Sequence, residues 1–152
     1  MVNQMLKIKK HNKIITKNKN NKINGYLLPI YNQNEEFFDQ DKLPQQFYIT
    51  AVAPNEIKGP HLHYIRTGCF LCIKGDVRFV IKYKGKYEEI YSGENYGYNS
   101  VIVPTGISAA IQNICNYEAM IVNMPSPAWT PEMDDEHSDD FSDFDFSVYK
   151  RY

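Results

Sequence analysis

The sequence lacks the features that would place it in a membrane or a secretory pathway. Among its 152 residues, no apolar run approaches the roughly 18 residues that a membrane-spanning helix needs. The N-terminus also lacks the apolar core of a signal peptide, because Lys and Asn interrupt every short apolar stretch. We therefore expect a cytoplasmic protein with no membrane partner.

Net charge is also nearly absent, at −1, which gives no general reason to expect a nucleic-acid partner. The charge is nevertheless uneven along the chain. The lysines that precede any acidic residue are Lys7, Lys9, Lys10, Lys13, Lys17, Lys19 and Lys22. The acids near the other end are Asp134, Asp135, Glu136, Asp139, Asp140, Asp143 and Asp145. The basic segment has no interleaved aromatics for base stacking, so a solvated segment is favoured over a phosphate- or RNA-binding arm.

Cysteine is scarce, with only three residues, and these suggest no metal site or redox motif. Cys69 and Cys72 have the spacing of such motifs, but no second pair completes a metal site and no helix follows. They lie in one apolar run of strand type, so their side chains should point to opposite faces. Ordinary buried cysteines are predicted.

No segment before Pro125 has a sustained helical period. Short β-type runs separated by turn residues occupy 26–31, 47–54, 69–75, 77–84, 86–91, 100–104, 107–113 and 117–124. In the run 77–84, Val77, Phe79, Ile81 and Tyr83 alternate onto one face, and Gly85 then marks a hairpin turn. This spacing of strands favours an all-β sandwich, jelly roll or barrel.

The chain divides by composition into a polar Lys/Asn-rich segment, 1–24, and one domain, 25–152. Its end is an irregular tail that begins at Pro125. Acids in the tail alternate with Phe141, Phe144 and Phe146, and we expect these rings to pack against the barrel while the carboxylates face solvent or a site.

Residues 58–66, Lys-Gly-Pro-His-Leu-His-Tyr-Ile-Arg, hold the candidate site. In a strand His61 and His63 project to the same face, with Lys58 and Arg66 nearby. Inside a barrel, this group would bind an anionic ligand and perform acid–base chemistry near neutral pH. The alternative is a pair of histidines on a solvated strand face.

This segment, followed by Gly75 at a strand end and Val-Pro-Thr-Gly at 103–106, resembles the two-motif layout of cupins. More narrowly it resembles the dTDP-4-dehydrorhamnose 3,5-epimerase-related branch, and residues 47–63 are also similar to dTDP-sugar 3,4-ketoisomerases. Residues 118–125, 129–132 and 134–136 extend the likeness, which covers about 47–146. The resemblance implies a cupin-type jelly roll, a nucleotide-sugar substrate and a His61 base.

Some site positions of this sequence differ from the patterns of the families that it resembles. Metal-binding cupins carry a Glu shortly after the paired histidines and a further His after the Pro-x-Gly turn; neither is present, so we expect no metal and no other cofactor. Asn123 stands where the epimerases carry a Tyr acid, and an amide has no readily titrated proton. The carboxylate that orients the base has its counterpart in Asp139 or Asp140.

The sequence therefore predicts a 4-keto nucleotide-sugar epimerase. His61, with Asp139 or Asp140, would abstract a proton next to the ketone, and Lys58, His63, Arg66 and Asn123 would bind substrate. The alternatives are a 3,4-ketoisomerase of the same substrate class and a cupin that binds a nucleotide sugar without turnover. We also expect a homodimer, because small cupins often pair through strands or sheets.

Overall fold

The computed structural model describes residues 6–151, whose regular secondary structure is almost entirely β-strand. The first six strands are β1 (Lys7–His11), β2 (Ile14–Lys17), β3 (Ile23–Leu27), β4 (Tyr48–Val52), β5 (Ile57–Leu62) and β6 (Gly68–Lys74). The other six are β7 (Asp76–Tyr83), β8 (Lys86–Gly93), β9 (Tyr98–Val103), β10 (Ser108–Asn113), β11 (Ala119–Asn123) and β12 (His137–Ser138). A short 3-10 helix, Gln40–Lys42, lies between β3 and β4. None of the helices in this range is long and apolar enough to cross a membrane.

The strands form two five-stranded antiparallel sheets and one separate hairpin. One sheet has the order β1-β9-β6-β11-β4 and the other β12-β5-β10-β7-β8, and among residues 6–151 β2 pairs only with β3. The main apolar core joins residues of both sheets, among them Cys72 and Ile121 from the first and Phe79 and Ile111 from the second. The predicted all-β, cupin-type jelly roll is confirmed.

Strand β7 shows why the alternating pattern identified it and what the pattern left out. Val77, Phe79 and Ile81 enter the main core, with Tyr83 packed at its edge, as the alternation predicted. The opposite face is also buried, because Val80 packs in a second cluster under Phe141 of the tail. Since the tail supplies this cover, β7 is a two-sided core strand rather than a half-buried one.

Two turns depend on backbone conformations that few residues adopt. The β7–β8 hairpin predicted at Gly85 is present, with positive φ at both Lys84 (49°) and Gly85 (74°). Gly59, ahead of the histidines, has φ of 88°, and a Cβ there would lie 2.9 Å from the backbone oxygen of Ala109. Gly59 therefore allows β5 to pass close to β10 just before His61.

The start of the chain departs from the sequence expectations. Strand β1 lies inside the segment 1–24 and pairs with β9, so the barrel sheet includes residues ahead of Gly25; residues 1–5 of that segment lie outside the described range. The strand expected over 26–31 is instead Ile23–Leu27. The buried Cys69 and Cys72 enter different apolar clusters, as predicted for opposite faces, and burial raises the pKa of Cys69 to about 12.

Candidate functional site

A cavity of about 290 Å³ opens at one end of the barrel, between the two sheets. Each sheet contributes polar side chains to its wall. Its polar and charged lining comprises Tyr48, Thr50, Lys58, His61, His63, Arg66, Asn123 and Glu136, and Phe70, Ile107 and Trp129 are among the apolar residues. Five residues predicted from the sequence, Lys58, His61, His63, Arg66 and Asn123, are therefore together in one cavity.

Strand β5 brings the histidines to the cavity through its pairing with β10. His61 lies opposite Ala109, and the register shifts between Ala109 and Ile111, next to the close approach at Gly59. The strand ends at Leu62, so His63 lies just beyond it, yet both imidazoles line the same cavity. The alternative of two histidines on an outer, solvated face does not match this placement.

His61 contacts a carboxylate from the C-terminal tail. Its Nδ1 lies 3.0 Å from Oε1 of Glu136, and the side chains are 41% and 56% exposed. The nearby carboxylate favours the proton of the neutral ring on Nδ1, and Nε2 is then the nitrogen that can accept a proton. This pair therefore has the arrangement of a general base with an orienting carboxylate.

His63 contacts a different carboxylate in a more enclosed setting. Its Nδ1 lies 3.2 Å from Oδ2 of Asp135, whose side chain is only 1% exposed. The Nη2 of Arg66 lies 3.3 Å from the same Nδ1. Burial, and next the charge of Arg66, lower the pKa of His63, so that the neutral imidazole is favoured.

Asp135 is the centre of a hydrogen-bond network that shapes the loop after β5. Its carboxylate accepts backbone N–H bonds from Tyr64 (2.8 Å), Ile65 (2.6 Å) and Arg66 (3.0 Å), and Nε of Arg66 donates to it at 3.0 Å. Burial opposes ionisation, but these donors outweigh it and lower the pKa of Asp135 to about 2. The carboxylate therefore fixes the loop that positions His63 and Arg66.

The predicted partners of His61, Asp139 and Asp140, lie elsewhere in the structure. Asp139 accepts a hydrogen bond from the hydroxyl of Ser108. The carboxylate of Asp140 accepts a hydrogen bond from the backbone N–H of Ser142 at 2.8 Å. The backbone carbonyl of Asp140 accepts one from Nζ of Lys82 at 2.7 Å. The carboxylate beside His61 is Glu136, three residues earlier than the first candidate, because β12 brings the tail alongside β5 with Ser138 opposite His61.

Asn123 has a tyrosine directly beside it, although the sequence showed none at its own position. Asn123 ends β11 opposite Tyr48 of β4, and its Nδ2 donates to the Tyr48 hydroxyl oxygen. The Oδ1 of Asn123 is buried and has no hydrogen-bond partner among the described residues. An orphaned buried acceptor costs about 1–3 kcal/mol. The phenol that the epimerase resemblance requires is thus available from the neighbouring strand.

The cavity does not have the ligands of a metal-binding cupin. Over residues 6–151 there is no group of three or more His, Cys, Asp and Glu side chains that could hold a metal ion. A catalytic metal ordinarily takes three protein ligands, and each imidazole here is already turned by Nδ1 toward its own carboxylate. The residues present do not fit a metal, and its absence stays a prediction for elemental analysis.

The fold defines a cupin-type protein with a cavity that two histidines line, each beside a carboxylate. Within that class, the chain belongs to the family described as FdtA: WxcM-like, C-terminal, whose model matches residues 7–146. No curated protein is matched by the chain.

Solved structures with the same fold include sugar isomerases and 3,4-ketoisomerases. A dTDP sugar isomerase from Desulfovibrio desulfuricans is 14% identical over 89% of this chain and 83% of that chain, with a TM-score of 0.75. A 3,4-ketoisomerase from Helicobacter canadensis is 15% identical over 88% and 90%, with a TM-score of 0.66. QdtA, a sugar 3,4-ketoisomerase from Thermoanaerobacterium thermosaccharolyticum solved with TDP, is 16% identical over 82% of each chain, with a TM-score of 0.62.

Proposed function

We propose that this protein is a nucleotide-sugar 3,4-ketoisomerase that acts on a TDP-4-keto-6-deoxyhexose. The observation that carries the proposal is the cavity in which two carboxylate-backed histidines and a tyrosine hydroxyl converge. The family match and the names of the structural neighbours support this substrate class, and a mutant of QdtA has been solved with TDP-4-keto-6-deoxyglucose. Each catalytic role below follows from the contacts of one side chain.

His61 is the proposed base. A ketone at C4 acidifies the C3–H bond, and Nε2 of His61 can take that proton because Glu136 holds the other ring nitrogen as a donor. The transfer leaves an imidazolium beside a carboxylate, which stabilises it. This arrangement replaces Asp139 or Asp140 by Glu136 in the orienting role.

Tyr48 is the proposed acid. As C3 loses its proton, negative charge develops on the C4 oxygen, and a phenol proton delivered there would give a neutral enediol. The neutral His63 can then accept the proton of the C3 hydroxyl while the protonated His61 returns its proton to C4, so that the carbonyl forms at C3. The proton gained by His63 equals the one that Tyr48 gave up, and its return to the phenolate restores both groups. Tyr48 thus removes the objection to catalysis that Asn123 raised.

Lys58 is the proposed partner of the diphosphate. Its side chain lines the cavity, and its ammonium group makes no hydrogen bond or ion pair with the described residues. Arg66 differs, because its Nε is bound to Asp135 and its side chain is 10% exposed. We therefore assign Arg66 mainly to positioning His63, and Lys58 to binding the negatively charged diphosphate of the substrate.

The proposal is tested by incubating the protein with TDP-4-keto-6-deoxyglucose in D2O and following the sugar by NMR. A 3,4-ketoisomerase incorporates deuterium next to the carbonyl and forms the 3-keto product. Inversion at C3 or C5 with the ketone retained at C4 would establish the epimerase instead. Binding without exchange would leave only a sugar-nucleotide-binding cupin, and elemental analysis showing about one tightly held metal per chain would overturn the metal-free mechanism.

We also propose that the protein is a homodimer joined through its N-terminal hairpin. Within the described part of the chain, strands β2 and β3 pair only with each other, and they expose Ile14, Ile15, Ile23 and Leu27, each more than half exposed. Such apolar side chains on an unpartnered hairpin are typical of an interface. Light scattering should give twice the chain mass, and Ile15→Lys with Leu27→Lys should give a monomer; a monomeric wild type would contradict the proposal.

A further inference from the structure

The side-chain oxygen of Asn123 has no role in the proposed reaction as described so far. The residue is 5% exposed, it forms part of the cavity wall, and its Oδ1 has no partner among the residues described. The other end of the amide, Nδ2, is engaged with the oxygen of Tyr48. A buried acceptor in a cavity wall indicates a donor supplied by the ligand.

The direction of the Asn123–Tyr48 hydrogen bond determines what Tyr48 can do. While Nδ2 donates to the phenol oxygen, the phenol proton must point away from Asn123 and is free to bond to the ligand. If the amide were reversed, Oδ1 would accept the phenol proton and withhold it from the ligand. The orientation in the structure therefore makes Tyr48 a donor toward the cavity.

The strand pairing places the two groups side by side. Tyr48 and Asn123 are directly opposite each other in the antiparallel β4–β11 register, so their side chains project to the same face as neighbours. A donor and an acceptor held in this way match two neighbouring oxygens, one a carbonyl and the other a hydroxyl. A hydroxyl vicinal to a ketone has this pattern.

We propose that Asn123 is a positioning and specificity residue: Nδ2 turns the Tyr48 proton toward the ketone, and Oδ1 accepts a hydrogen bond from the vicinal hydroxyl of the bound substrate, before that proton passes to His63. The inference rests on the proposed function and assigns recognition of the substrate's C3 hydroxyl to this one side chain. A 4-keto sugar that lacks the C3 hydroxyl leaves Oδ1 unpaired, so it is discriminated against, although its C3–H remains acidic.

Two substitutions separate the two roles of the amide. Asn123→Asp is nearly isosteric, but its carboxylate only accepts and so captures the Tyr48 proton. Exchange at C3 should fall about 100-fold at pH 8, a loss in kcat rather than in KM. Because a protonated carboxyl can again donate to Tyr48, the ratio of variant to wild-type activity should rise as the pH falls. A merely structural role would not produce this pH-dependent ratio.

Asn123→Leu removes the acceptor, and its effect is measured as a change in the preference between two substrates. The wild type should prefer TDP-4-keto-6-deoxyglucose over its 3-deoxy analogue by about 10- to 100-fold in kcat/KM and in calorimetric Kd, and the variant should lose that preference. Thr50→Val, which alters the same cavity wall without touching the pair, should keep it. Thermal unfolding of each variant shows whether it is folded.

The outcomes distinguish this inference from the proposed function. Wild-type protein that binds both sugars without exchange contradicts the isomerase, while the calorimetric preference still tests Asn123. An Asn123→Leu variant that keeps the wild-type preference overturns the specificity role. An Asn123→Asp variant whose activity ratio is independent of pH overturns the positioning role.

Discussion

The two histidine–carboxylate pairs of the cavity differ in almost every respect but their chemistry. The His61–Glu136 pair is open to solvent, with both side chains more than two-fifths exposed, and Glu136 makes one ion pair. The His63–Asp135 pair is enclosed, and Asp135 also accepts three backbone N–H groups and the Arg66 side chain. Similar groups therefore serve different purposes at neighbouring positions.

The difference shows how one site combines rigidity with proton transfer. A carboxylate with many buried donors is held ionised, with its pKa lowered to about 2, and is too weak a base to take part in transfer near neutral pH. A carboxylate that is half exposed and singly bonded can respond to a change in the charge of its partner. We therefore expect the open pair to determine the first proton transfer, and the carboxylate of the enclosed pair to determine structure.

Loss of the base in the open pair should give the largest effect. In His61→Asn, exchange of the C3 proton should fall by about 10²–10⁴-fold, because the amide cannot accept the proton. His63→Asn is the matched variant and should lose less, since His63 does not take the first proton. The NMR exchange assay measures both, and an equal loss in the two variants would break the distinction between the pairs.

Loss of the carboxylate charge in the enclosed pair should chiefly lower the stability of the fold. Asp135→Asn leaves Arg66 without its partner and presents an amide N–H to backbone donors, so the free energy of unfolding should fall by about 3 kcal/mol. Denaturant unfolding measures this loss. Asp134→Asn, the neighbouring exposed acid, is the control and should change stability by less than about 0.5 kcal/mol.

The enclosed pair should also show in acid unfolding. The pKa of Asp135 is lower in the folded protein, about 2, than its ordinary value of 3.8, so its contribution is complete above pH 4 and is lost as the pH falls toward 2. This shift corresponds to about 2 kcal/mol. We expect the free energy of unfolding, measured with denaturant, to fall less between pH 5 and pH 2.5 in Asp135→Asn than in the wild type.

The carboxylate of the open pair should give the smallest effect. Glu136→Gln keeps an oxygen that accepts from His61 Nδ1 and removes only a half-exposed charge, so the exchange rate should fall by at most about 5-fold. Stability should be unchanged within error. A loss as large as that of His61→Asn would mean that Glu136, despite its exposure, is indispensable to the base.

Sequence reasoning recovered the parts of the molecule that depend on local pattern. The alternation of β7, the Gly85 hairpin and the paired histidines each follow from residues close together in the chain. The packing of the tail's aromatic rings against the barrel was also predicted, because rings among acids indicate an amphipathic tail, and Phe141 does pack with Val80. These features need no knowledge of which strand pairs with which.

The remaining site residues depend on register, which no local pattern contains. Tyr48 meets Asn123 only because β4 pairs with β11 in one alignment, and a shift of one residue would turn its ring to the other face. Glu136 rather than Asp139 reaches His61 because of where β12 joins β5. In a tail with eight acids, spacing alone could not select the right one.

The anchoring of the tail has a consequence for how the site forms during synthesis. Arg78, fully buried, donates to the backbone oxygens of Phe146 and Val148 and so holds the segment beyond Glu136 on the barrel. Asp135 follows His63 by 72 residues, which places the contact among the long-range ones that slow folding. A nascent chain would therefore expose both histidines before their carboxylates leave the ribosome, and the site would become competent only when the tail docks.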